Sequence, residues 1–324
     1  MLGWVDVITS GTHGGLSLSL LGDFGLQFEP QKGMSTRELV DWCSYAERKG
    51  YGYAFRSDHF LPIPIGVADS AECWTSLGAV AASTKTIRFG PMVTPTSYRN
   101  PALLAKMART ANIFSEGRLV FGLGAGWYET EYLGYGYEFP DVTTRLDQFD
   151  EALRIIIPMT MGEAVSFKGK YFRAVVEPLP RIKVNFLIGG KHRRVIEAAA
   201  KYADEWNIYG SSLGKIQRCK KALDAASGGR TVKVSNTGEV IIAENRRSLI
   251  EYLGNWLKES GLSGDPEAEI EGLRQGGTFC GTPEEVVSQI NERRDLGVDR
   301  FYLEVADMRT KAMADLLTET LKGI

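Results

Sequence analysis

A chain of 324 residues is long enough for one large domain or two ordinary ones, and 44% apolar with 24% charged residues is the balance of a globular protein whose core needs no covalent staples. A net charge of −2 and a pI near 6.1 carry no basic field of the kind that advertises nucleic acid. Four scattered cysteines (Cys43, Cys73, Cys219, Cys280) without a Cys-x-x-Cys pair, and only three histidines, argue against a metal site, and no apolar run approaches the roughly 18 residues of a membrane span.

Residues 1–22 are rich in Gly and Ser and carry no Lys or Arg, so the basic start of a secretory signal is missing. They read as an extension ahead of a single domain over 23–324, and the scattered thiols fit the reducing cytoplasm. The first core strand is expected at 23–29. Ser35-Thr36-Arg37-Glu38 is a capping box opening a helix whose buried line is Leu39, Cys43 and Ala46, and Gly50 closes it. A strand over 52–57 follows at once, completing a β-α-β unit of about 35 residues, the spacing of a right-handed crossover. Leu61-Pro-Ile-Pro-Ile-Gly is too rich in proline for helix or central strand and should overhang the end of that strand.

A helix over 74–83 leads to a strand over 87–94. Asn100-Pro101 supplies an N-cap and a first-turn proline for a helix reaching Gly117, and residues 118–122 form the next strand. After a longer excursion and a helix over 143–161, residues 165–175 read as a small inserted hairpin turning at Lys168-Gly169. Strands follow at 184–188, 205–209 and 232–242, then an irregular stretch at 261–277. A second capping box, Thr282-Pro283-Glu284-Glu285, starts a helix ending at Gly297; a strand over 299–305 and an amphipathic tail close the chain. Eight strands alternating with helices describe an α/β fold, a (β/α)8 TIM barrel with insertions. A doubly wound sheet with an appended subdomain is the alternative.

Three stretches at strand ends carry chemistry. Ser57-Asp58-His59 closes the second strand, where parallel α/β folds place their reactive groups, and His59 is a general acid or base by type. The bland reading is a polar strand end in which Asp58 caps a helix or pairs with Arg56. Gly122-Leu-Gly124-Ala125-Gly126-Trp127 fails as a dinucleotide fingerprint, because Trp127 stands at the position of close helix packing. Its glycines still permit backbone approach of a flat ligand, against the plainer reading of a tight turn. Phe186-Leu-Ile-Gly189-Gly190-Lys191-His192-Arg193-Arg194 places glycines, a helix N-terminus and three cations together, an arrangement suited to a phosphate. His192 reads as a loop residue.

In order, Ser57-Asp58-His59-Phe60, Gly90-Pro-Met-Val-Thr-Pro-Thr, the Gly122–Trp127 run, Phe186-Leu-Ile-Gly-Gly, Gly281-Thr-Pro-Glu-Glu-Val and Gly297-Val-Asp-Arg-Phe resemble the bacterial-luciferase-like family over nearly the whole chain. That resemblance implies a TIM barrel binding coenzyme F420, or alternatively FMN, at its C-terminal face. It implies an oxidoreductase: a hydride-transferring enzyme acting on a small organic substrate, or a monooxygenase using reduced FMN. Catalysis would fall to His59, with Asp58 orienting it or contacting the ring. The cofactor would contact Gln27, Ser57, Asp58, Met92, Val93, Thr94, Ala125, Gly126, Gly189, Gly190 and Lys191. A non-prolyl cis peptide is expected at Pro91–Met92 or Met92–Val93.

Trp127 stands where related sugar-phosphate dehydrogenases carry a carboxylate, which disfavours glucose 6-phosphate. Trp127 and Tyr128, with Tyr132 and Tyr135, point instead to an aromatic-lined substrate pocket. The resemblance also implies a homodimer. A non-catalytic barrel binding a flavin or acyl ligand is the reading from a different class, and it leaves Asp58-His59 without a use.

Overall fold

The computed structural model describes residues 21–62 and 70–324. Most of the N-terminal extension and the greater part of the proline-rich overhang lie outside the described residues. The chain begins with β1 (Leu21–Phe28), α1 (Thr36–Lys49), β2 (Tyr51–Arg56) and α2 (Cys73–Ser83). The third barrel strand comes in two pieces, β3 (Arg88–Pro91) and β4 (Thr94–Pro95), followed by α3 (Pro101–Phe114) and β5 (Val120–Gly124). The excursion holds a short α4 (Glu129–Gly134) before α5 (Val142–Met161) and a hairpin, β6 (Val165–Lys168) with β7 (Arg173–Val176). Then come β8 (Asn185–Gly189), α6 (Arg193–Tyr202), β9 (Glu205–Tyr209), α7 (Leu213–Ala226) and β10 (Lys233–Ile242). The remainder is α8 (Arg246–Glu259), α9 (Pro266–Gly276), β11 (Phe279–Gly281), α10 (Pro283–Asp295), β12 (Arg300–Val305) and α11 (Ala312–Leu321).

Parallel pairing runs β3-β2-β1-β12-β10-β9-β8-β5-β4, and a parallel bridge between Phe89 and Leu119 brings the third and fourth barrel strands together. The sheet is thus an eight-stranded barrel in which β3 and β4 share one place, and the doubly wound alternative is set aside. The hairpin β6–β7 stands off the barrel as an insertion.

Both capping boxes form: Ser35 accepts from Glu38 N–H, and Glu38 reaches back to Ser35 N–H at 2.8 Å. One expectation fails in the stretch 261–277. Asp265 caps α9 and Pro266 occupies its first turn, so the polar run conceals a helix that packs Ile270 against Leu249, Leu253 and Ile241. The short β11, which pairs with β10, and the helix α4 also went unread, because each is too short for a periodic pattern.

Two apolar layers hold the barrel. Outside, side chains such as Leu26, Phe89, Phe121, Ile188 and Leu303 are wholly buried in the core that packs strands against helices. Inside, Tyr53, Phe55, Val120, Leu187 and Tyr302 form a plug, with Met92 and Val93 resting on it. The rings of Phe55 and Tyr302 lie 4.6 Å apart. Burying one such side chain stabilises by about 1.5–3 kcal/mol, so the plug is a firm floor beneath the strand ends.

Candidate active site

The C-terminal ends of the barrel strands surround one cavity of about 740 Å³, within the usual range of about 300–1,000 Å³ for small-molecule sites. Its wall includes Ser57, Asp58 and His59 after β2, Met92 and Val93 between β3 and β4, and Gly124 to Trp127 after β5. Gly189 to His192 after β8, Tyr209 at the end of β9 and Glu304 in β12 complete it, with Glu29, Gln31 and Lys32 after β1. Of the residues singled out from the sequence for the cofactor and the substrate pocket, Gln27, Thr94, Tyr128, Tyr132 and Tyr135 are not in this wall, nor are Arg193 and Arg194. Gln27 turns to Glu29, 2.7 Å away, and Thr94 Oγ1 accepts from Trp74 Nε1 at 3.1 Å in the core. Tyr128 stands outside the wall, with its ring 6.0 Å from that of His59.

Asp58 and His59 face different partners. Asp58 is buried and receives both terminal nitrogens of Arg99, at 2.6 and 3.1 Å, while Arg99 also meets Glu72. It orients neither His59 nor Arg56, whose Nε donates to Ser57 O at 2.6 Å. The carboxylate beside His59 is Glu131 in α4, with Nδ1 at 3.0 Å from Oε1 and 3.1 Å from Oε2. Glu131 Oε1 also accepts from the N–H groups of Phe60 and Leu61, at 2.8 and 3.1 Å, and Oε2 accepts from the Tyr98 hydroxyl. Burial alone would raise the Glu131 pKa, but the bonds and charge of His59, with those of Tyr98 and the Leu61 N–H, bring it below the ordinary value.

The turn between β3 and β4 carries a cis peptide at Met92–Val93, one of the two bonds expected. Its surroundings explain the glycines after β5. A Cβ on Gly122 would lie 2.0 Å from Pro91 O, and one on Gly124 would lie 2.6 Å from Val93 Cγ2. A Cβ on Gly126 would meet the Tyr132 hydroxyl at 1.8 Å. These glycines therefore admit neighbouring parts of the protein; the wall they contribute to the cavity follows from that packing.

At the end of β8, Gly190 has φ +143° and its N–H donates to Asn207 O at 3.1 Å, so this residue shapes the turn and its own donor is spent. A side chain there would be strained whatever it carried. Lys191 lines the cavity and donates to Gly210 O at 2.9 Å; burial, then the charge of Lys215, lowers its pKa. His192 caps α6 by accepting from Arg194 N–H at 3.2 Å. The other two cations leave the site: Arg193 pairs with Glu197, and Arg194 with Asp147 and Asp150. The aromatic residues divide likewise. Trp127 forms the rim, whereas Tyr132 is buried with its hydroxyl 2.6 Å from Ser97 Oγ, and Tyr135 packs on Phe60.

On the side of β1 and β12 the wall is acidic. Glu304 meets Lys32 and accepts from the Tyr209 hydroxyl at 3.1 Å. Burial, followed by the charge of Glu29, pushes its carboxyl up to about 7 against the opposing pull of Lys32. Among the described residues no group of three His, Cys, Asp or Glu could hold a metal ion, and no helix is long and apolar enough to cross a membrane.

A sequence model described as luciferase-like monooxygenase matches residues 16–300. The chain belongs to the luciferase-like monooxygenase family. This luciferase-like chain is 35% identical to an F420-dependent glucose-6-phosphate dehydrogenase of Nocardia farcinica, covering 93% of its own length and 98% of the relative. It is 27% identical to 5,10-methylenetetrahydromethanopterin reductase of Archaeoglobus fulgidus, over 85% of the chain and 91% of that protein. In fold it resembles an F420-dependent secondary alcohol dehydrogenase solved with an F420–acetone adduct, with a TM-score of 0.77 at 20% identity over 92% and 98% of the two chains.

Sequence reasoning missed Glu131, Arg99, Lys32, Tyr209 and Glu304 in this luciferase-like site. Each meets its partner across a long stretch of chain, and nothing in local spacing marks the pair. Glu131 follows the glycine run by only five residues, but α4 is needed to turn it back toward His59.

Proposed function

We propose that this protein is a coenzyme F420-dependent oxidoreductase that moves a hydride and a proton between a small, neutral alcohol and its carbonyl counterpart. The observation that carries the reading is that an imidazole on a buried carboxylate, the Met92–Val93 bulge and the Gly189–Lys191 turn open on one cavity. The relatives named for F420 support the cofactor over FMN.

The residues fit such a group. The start of α6 has first-turn N–H groups without intrahelical partners, and Lys191 adds positive charge beside it, a cradle for the phosphate. The Met92–Val93 bulge, firmly seated on the plug, offers a backing for a flat ring; Ser57, Asp58, Ala125 and Gly126 edge the same space. Bound coenzyme F420 would supply the hydride chemistry. Oxidising an alcohol to a carbonyl releases a hydride from carbon and a proton from oxygen; His59 takes that proton at Nε2 and returns it in the reverse direction. Trp127, Val142 and Leu146 offer an apolar wall to the substrate's carbon skeleton.

The acidic side of the cavity supports a neutral substrate. Glu29 and Glu304 line it and Lys32 is already engaged by Glu304, so a sugar phosphate would have to compete with that carboxyl for the cation there. The reading carries with it a cytoplasmic enzyme whose barrels pair as a homodimer, which sedimentation of the purified chain tests.

The deciding experiment is titration with coenzyme F420 and with FMN, followed by reduction of the bound cofactor under air. Tight binding of F420 and a reduced complex that consumes no oxygen are the expected results. Preference for FMN with rapid oxygen uptake would favour a monooxygenase, and binding of neither would leave the proposal without a cofactor.

A further inference from the structure

We infer that Glu131 is a positioning residue for proton transfer: it holds His59 as the Nδ1–H tautomer and so leaves Nε2 as the nitrogen that exchanges the substrate proton. The inference rests on His59 being the proton carrier. Its geometric basis is independent of the cofactor.

Glu131 is wholly buried in α4, with four groups converging on its carboxylate. Phe60 N–H and Leu61 N–H donate to Oε1, the Tyr98 hydroxyl donates to Oε2, and His59 Nδ1 lies within 3.1 Å of both oxygens. Tyr98 cannot serve as an alternative base, since burial and its bond to Glu131 push the phenol far above its ordinary range. A buried carboxylate held ionised offers acceptors alone, so the imidazole nitrogen facing it must bring the hydrogen. The other ring nitrogen then carries a lone pair when His59 is neutral. When Nε2 takes a proton, the resulting imidazolium already faces its counter-ion and needs no solvent to rearrange.

The same contacts fix where the imidazole stands. The N–H bonds to Phe60 and Leu61 clamp the backbone after His59, and Trp127 and Tyr128 stand edge-on to its ring at 5.7 and 6.0 Å. Anchored at Nδ1 and flanked by two aromatic rings, the imidazole has little freedom to turn. One side chain thus serves as loop brace and as tautomer selector. A brace alone would be satisfied by any group accepting from two N–H donors; selecting the tautomer needs an acceptor without donors beside Nδ1.

That difference supplies the test. Glu131→Gln keeps the shape and a carbonyl for the two N–H groups, but it places an amide donor where Nδ1 can accept, favouring the opposite tautomer. With three histidines in the chain, selective ¹⁵N labelling gives three imidazoles to assign, using His13→Gln and His192→Asn. Wild-type His59 should show the Nδ1–H pattern at neutral pH, without cofactor, and Glu131→Gln should shift it toward Nε2–H. Turnover with coenzyme F420 and the alcohol oxidised fastest by the wild type should fall by about 10²–10⁴, approaching His59→Ala, with cofactor affinity within about twofold. A wild-type Nε2–H tautomer overturns the inference even if the variant fails to fold. So does a Glu131→Gln protein with the wild-type tautomer and turnover within about threefold. If the tautomer result holds while F420 does not bind, the cofactor reading fails and the His59–Glu131 assignment stands.

Discussion

At the scale of single residues, the site separates two neighbours that look like one unit. Asp58 and His59 are adjacent in sequence, yet Asp58 is committed to Arg99 and His59 to Glu131. Glu304 is the second carboxyl whose environment sets its chemistry, raised to about 7 by burial and by Glu29 against Lys32. An unfolded glutamate titrates near 4.3, so between about 4.3 and 7 the folded protein holds a proton that the unfolded chain has lost. This group therefore stabilises the fold fully at low pH, and its contribution fades as pH rises through that window. Glu304→Gln removes the titration. Relative to the wild type, the variant should gain stability between pH 4.5 and 7.5, on the order of 2–3 kcal/mol, in denaturant unfolding. Parallel pH profiles for the two proteins would mean that Glu304 titrates as an ordinary carboxylate.

At the scale of elements, the third barrel strand is the feature around which its neighbours have been carved. Pro91 ends β3, the ladder resumes in β4 at Thr94 and Pro95, and the residues between, Met92 and Val93, bulge onto the plug. The glycines of β5 are small because that bulge is near: a Cβ on Gly124 would come 2.6 Å from Val93 Cγ2. Gly124→Ala should cost about 1–3 kcal/mol by overpacking. Trimming the opposing side chain should restore much of the loss, so Gly124→Ala with Val93→Ala should be more stable than the sum of the two single changes. Additive effects in thermal or denaturant unfolding would show that the two positions do not press on each other.

At the scale of the whole molecule, the barrel gathers loops from nearly every strand onto one end, so a ligand bound there touches much of the chain at once. Any ligand that binds the folded form alone stabilises it by mass action, by about 2.7 kcal/mol at a hundredfold excess over its Kd. Coenzyme F420 should therefore raise the melting temperature in proportion to the logarithm of its concentration, and Lys191→Glu should need more cofactor for the same shift. A melting temperature unmoved by saturating F420 would contradict binding to the folded barrel.

Much of the architecture was legible because it rests on local physics. Capping boxes at Ser35 and Thr282, Asn100-Pro101, and alternating apolar runs announce helices and strands through hydrogen bonds and burial within a few residues, and their order implies the barrel. The motifs at the strand ends come together in the wall of one cavity. Pairings across the fold were decided elsewhere. Which carboxylate meets His59, why Gly122 and Gly124 are glycine, where Arg193 and Arg194 turn, and what raises Glu304 depend on groups far apart in the chain. Contact energies and dielectric surroundings act through space, so only the closed barrel could bring Glu131 to His59 and turn Asp58 away.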